Sequence, residues 1–67
     1  MNMVEGTLAE IDRVREIIKL YKSLPNNAGF IGVSMMEVDI EMAEKALGSG
    51  DVVRIVQAYN RLKEISE

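Results

Sequence analysis

Nowhere in its 67 residues does the chain carry a cysteine or a histidine. A domain of this size buries only about 60% of the surface its unfolded chain exposes, and commonly leans on a disulfide, a structural metal or self-association. With no thiol or imidazole to staple it, the fold must rest on apolar packing, supplemented by whatever a second subunit adds. The same absence removes the thiolate nucleophile, the imidazole base and nearly every zinc-ligand set. No enzyme activity is expected, and no catalytic, cofactor or metal residue is assigned from this pattern.

The remaining composition narrows the partners. Eleven acidic residues against eight basic ones leave a net charge of −3, opposite to the lysine and arginine surplus that draws a protein to nucleic-acid phosphate. A hydrophobic content of 48% is too high for a disordered tail and suits one small folded domain over residues 1–67. The longest uncharged stretch, Ser23 to Met36, contains Pro25, Gly29 and Gly32 and is too short to span a bilayer. Residues 1–6 lack the basic start and apolar run of a secretory signal and are expected to be flexible. A cytoplasmic protein that binds neither membrane nor nucleic acid is the expectation.

Apolar periodicity predicts an all-α chain, a small three-helix bundle with helices at about 7–24, 34–47 and 51–65, which dimerisation would help to complete. Thr7-Leu8-Ala9-Glu10 and Ser34-Met35-Met36-Glu37 both have capping-box spacing, in which a hydroxyl serves the N3 amide and the N3 carboxylate reaches back. Val33 and Val38 are spaced as a hydrophobic staple around the second box. Pro25 ends the first helix, Gly48 suits a left-handed C-terminal position for the second, and Asp51 or Ser49 caps the third. Phe30-Ile31-Gly32-Val33 lies before the expected start of the second helix and is read as loop, with Phe30 laid into the core.

At about 100° per residue, the first helix gathers Ile11, Val14, Ile17, Ile18, Tyr21 and Leu24 on one face. Its other side carries the pairs Glu10–Arg13, Asp12–Arg15 and Glu16–Lys19, a solvated face, with Leu20 projecting away from the stripe. The third helix offers Val52, Ile55, Val56, Ala58, Tyr59, Leu62 and Ile65. The second is unusual in carrying two apolar stripes. Met36, Ile40, Ala43 and Leu47 form one; Met35, Val38, Met42 and Ala46 form the other. Between them lies Asp39, a carboxylate that is costly to bury without a partner. One stripe is expected to face the core, and the other, with Met35, Val38, Asp39, Met42 and Ala46, to face a protein partner or a second copy in a homodimer.

Competing chemistries are thin. Glu37, Glu41 and Glu44 form a row on one rigid helix, which cannot wrap a cation; as a solvated acidic face it would attract a basic protein, giving an alternative role in masking such a partner. Gly29-Phe30-Ile31-Gly32 has the GxxG spacing of a nucleic-acid clamp but no adjacent lysine or arginine, and is read as a turn. Ser34-Met35, Val38-Asp39-Ile40 and Met42-Ala43, after the loop Asn26-Asn27-Ala28-Gly29-Phe30, follow a spacing that resembles the second helix of acyl carrier proteins. That family has Asp and Leu on either side of its serine, where this chain has Val33 and Met35. The resemblance implies a phosphopantetheine arm on Ser34. The residues themselves lead first to an interaction module or assembly subunit that works through the second helix and catalyses nothing.

Overall fold

The computed structural model describes residues 2–66. They form α1 (Met3–Lys22), a single 3-10 turn (Pro25–Asn27), α2 (Phe30–Ser49) and α3 (Val52–Lys63), an up-down-up bundle in which each helix packs against the other two. The fold is all-α, as the periodicity requires. No helix among the described residues is long and apolar enough to cross a membrane.

The first two helices start earlier than expected, while the third starts at its expected cap, Asp51. α1 begins at Met3, inside the segment expected to be flexible. Its cap is Asn2, whose Oδ1 accepts from the Glu5 amide at 2.8 Å while Nδ2 donates to Glu5 Oε1 at 3.2 Å. This is a side-chain N-cap five residues upstream of the expected one, with the N3 carboxylate returning to the cap's side-chain amide and not to its backbone amide. Thr7 is then interior and fully buried, its hydroxyl satisfied by donating to the Met3 carbonyl at 2.7 Å, the usual local escape for a hydroxyl inside a helix. α2 begins at Phe30, not Ser34, and Gly29 caps it without a side chain.

Packing against α1 explains the early start of α2. Val33 is buried, so a helical turn through Phe30–Val33 gains core contact that a loop would forgo. Gly29 and Gly32 form a notch on the α1-facing side. A Cβ placed on Gly29 would lie 2.9 Å from both the Cβ and the carbonyl oxygen of Tyr21. The GxxG string is therefore a close helix crossing and not a turn. Phe30, expected in the core, is 68% exposed as a result. The connection before it uses left-handed backbone at Asn26 and Asn27 (φ 58° and 55°), a conformation asparagine tolerates better than most residues.

α2 runs to Ser49, two residues past the expected end, and Gly50 at φ 71° takes the left-handed position assigned to Gly48. Asp51 then caps α3, its Oδ1 accepting from the amides of Val53 and Arg54, while Ser49 Oγ accepts from the Asp51 amide. α3 ends at Lys63, and Ile65 beyond it still packs on the core. The core consists of Ile11, Val14, Ile17 and Ile18 of α1, Val33, Met36, Ile40 and Ala43 of α2, and Leu62 of α3. Val52, expected to join it, is 67% exposed, and Leu24 lies outside α1 and exposed.

At 1.5 Å per residue, α1 and α2 are each about 30 Å long and α3 about 18 Å. Two contacts fix where α3 stops. Arg13, at the middle of α1, donates from Nη2 to the Leu62 carbonyl and from Nη1 to the Ile65 carbonyl, both at 2.8 Å. Arg61 Nε reaches Asp39, at the middle of α2, at 2.7 Å. The C-terminus of α3 thus lies level with the midpoints of both partners, and the far half of the bundle is essentially an α1–α2 hairpin.

Candidate functional site

The outer face of α2 holds the largest concentration of exposed apolar side chains on one element. Met35, Val38 and Met42 are all more than half exposed, as their place on the second stripe predicts, and Ile31 is 73% exposed. Because α2 starts at Phe30, Ile31 extends the stripe by one turn. The loop reading of 30–33 had hidden it. Ile31, Met35, Val38 and Met42 follow one another at spacings of four, three and four, an apolar row within about 60° of the helix circumference and about 16 Å long.

Ala46 does not belong to this face. It is 3% exposed, because α3 crosses over it and the small side chain lets the two helices close. Asp39 borders the row with its side chain 14% exposed, and it is not without a partner: Arg61, reaching over from α3, pairs with it. The hydrogen bond, and then the charge, of Asp39 raise the already high pKa of the Arg61 guanidinium. The Asp39 carboxylate thus meets a cation from α3 at the border of the row. The pair joins residues 22 positions apart, with no local sequence signal.

The acidic row on the adjacent side of α2 is paired too. Glu37 lies 3.9 Å from Lys22, Glu44 pairs with Arg15 at 3.0 Å, and Glu41 pairs with Lys45 at 3.2 Å. Arg15 thus reaches across to α2 instead of pairing with Asp12. Each carboxylate of the row thus has a cation within 4 Å, in exposed ion pairs.

Ser34 occupies the fifth position of α2, where its exposed Oγ donates to the Phe30 carbonyl at 3.0 Å. It caps nothing. Ser34→Ala is accordingly expected to change stability by less than about 0.5 kcal/mol, where loss of an N-cap would cost about 1 kcal/mol; urea denaturation distinguishes the two. The carrier resemblance had placed this serine at a helix start, and the structure places it one turn inside.

Two grooves flank the face. One, of about 520 Å³, lies between α2 and α3, with Ala46, Ala58 and Met42 beside Lys45, Arg54 and the Asp39–Arg61 pair. The other, of about 250 Å³, lies between Tyr21 and the first turns of α2. Both are open surface grooves. Neither brings together an unpaired nucleophile and a base in an enclosed site, the arrangement that acid–base or covalent catalysis requires. Comparison with known proteins adds no relative: no family model, no curated protein and no solved structure matches this chain.

Proposed function

We propose that the protein is a small interaction module or assembly subunit that docks through the outer face of α2, with no catalytic step of its own. The observation that carries this reading is the row Ile31, Met35, Val38 and Met42, whose exposures of 73, 63, 54 and 53% leave four large apolar side chains in water on one rigid helix. Covering them would contribute on the order of 1 kcal/mol each, a sizeable share of what a chain this small can draw on. Methionine at two of the four positions suits an adaptable contact. A cytoplasmic location belongs to the same proposal, supported by a core that uses no disulfide.

Met42→Glu tests it. Met42 is exposed, so the substitution is expected to leave stability within about 0.5 kcal/mol while weakening association, with itself or with a partner, by at least about tenfold. Sedimentation across a concentration series and affinity capture from the source cell measure the two kinds of association, and chemical denaturation measures stability. A wild-type chain that sediments as a monomer at high micromolar concentration, together with a Met42→Glu variant unchanged in capture, would overturn the reading.

A further inference from the structure

The geometry points to a second copy of this chain as the occupant of the α2 face, its α2 packed antiparallel to the first about a two-fold axis at the level of Met36 and Glu37. This inference rests on reading the row as an interaction face, and it adds the partner, the direction and the register. The 4-3-4 spacing is that of a coiled-coil seam, and its midpoint falls between Met35 and Val38. Antiparallel pairing about that point stacks Ile31 on Met42 of the second copy and Met35 on Val38 of the second copy. Each of the four layers then joins one β-branched residue to one methionine, so the layers are matched in volume and the patch is complementary to itself, as a two-fold interface requires.

Charge selects the direction. Lys45 occupies the next seam position after Met42 and is 69% exposed on its side chain. Parallel pairing would set Lys45 against Lys45 of the second copy at the seam; the exposed pair of each with its own Glu41 screens this contact between like charges only in part, and burying two ammonium groups there remains unfavourable. Antiparallel pairing sets it against Ala28 instead, and also opposes the two α2 macrodipoles favourably. The flanks agree: Glu41 falls opposite Ser34 of the second copy, and Asp39, already held by Arg61, falls opposite Gly32. No uncompensated carboxylate meets another.

Area and access are sufficient. Each of the four side chains offers on the order of 100 Å² of apolar surface. Doubled by symmetry and joined by their flanks, they reach the roughly 1,000 Å² at which a specific but weak interface becomes viable. Because α3 stops level with Asp39, no helix among the described residues crosses the N-terminal half of this face.

The chain has no cysteine of its own, which makes thiol cross-linking a clean test. Ile31→Cys and Met42→Cys variants are mixed and oxidised under equilibrating conditions, and the products are resolved by mass. The expected product is the 31–42 heterodimer, with neither homodimer accumulating. In parallel, light scattering of the wild type should show a mass approaching twice 7.5 kDa at several hundred micromolar and falling on dilution, with a midpoint in the range of roughly tens of micromolar. Val38→Glu should keep its helical circular dichroism and raise the dissociation constant by about 100-fold or more.

Homodisulfides at 31 or at 42 would overturn the antiparallel register. A wild type that stays monomeric at every concentration would overturn the dimer altogether. If that monomer nevertheless captures another protein and Met42→Glu abolishes the capture, the interaction reading stands without the dimer; if it captures none, both fall.

Discussion

Replacing Gly29 with alanine is expected to destabilise the bundle by about 1–3 kcal/mol, lowering the melting temperature by roughly 5–20 °C for a domain this small. The added Cβ would sit 2.9 Å from the Tyr21 Cβ and 2.9 Å from the Tyr21 carbonyl oxygen. Neither atom can move without moving the backbone of α1. The stabilisation of about 0.4–1 kcal/mol that alanine brings by restricting the unfolded chain is too small to offset a forced separation of two helices. Gly32 meets only the far edge of the Tyr21 ring, at 3.1 Å, so Gly32→Ala should be milder. Gly48 provides the opposite control. It lies within α2, a Cβ there would meet nothing within 4 Å, and Gly48→Ala should stabilise by about 0.4–1 kcal/mol. Thermal and urea denaturation of the three variants check the set; equal effects at Gly29 and Gly48 would show that the notch is not a close contact.

Arg13→Ala is the second large effect expected, a loss of about 1–2 kcal/mol and roughly 5–15 °C in melting temperature. Its guanidinium donates to the carbonyls of Leu62 and Ile65 at 2.8 Å each, tying the end of α3 to α1 where the macrodipole favours a cation; the Leu62 carbonyl also accepts from the Ile65 amide at 3.1 Å, so it keeps a partner when Arg13 is removed. A hydrogen bond to a charged group contributes about 1.5–3 kcal/mol when well buried. The lower figure applies here because the Arg13 side chain remains 39% exposed. Glu10 holds the fork in place through Nε and Nη2. Arg13→Lys keeps the charge but not the fork, and should recover less than half of the loss. Full recovery by lysine would reduce the contact to simple charge at a helix end.

Three helices were legible in the spacing of Ile11, Val14, Ile17 and Ile18, of Met36, Ile40 and Ala43, and of Ile55 and Leu62, because a helix buried on one side must repeat its apolar residues at that period. The exposed stripe of Met35, Val38 and Met42 was legible for the same reason. The first two helix starts were not. Thr7 and Ser34 have capping-box neighbours, yet a hydroxyl can equally well donate to a carbonyl one turn back, and tertiary packing of Val33 and of the Gly29–Gly32 notch decided the matter against the local signal. Ile31 was lost to the candidate face by that one error of boundary. Ala46 was assigned to the face because angle alone cannot tell which side of an apolar arc α3 will cover. Spacing places Arg13 on a solvated face and gives Arg61 no partner, because the groups they meet, the α3 carbonyls and Asp39, lie far away along the chain.

The Arg13 clasp also bears on how fast the molecule comes apart. It joins residues 52 positions apart, while the α2–α3 link needs only Gly50 and Asp51 and the α1–α2 link only residues 23–29. Closing a long loop costs more chain entropy than closing either hairpin, so the hairpins form early and the clasp late along the folding path. An interaction made after the transition state leaves the folding rate nearly unchanged and is expressed almost wholly in the unfolding rate. Arg13→Ala is therefore expected to speed unfolding more than it slows folding, which the two arms of a denaturant chevron measure.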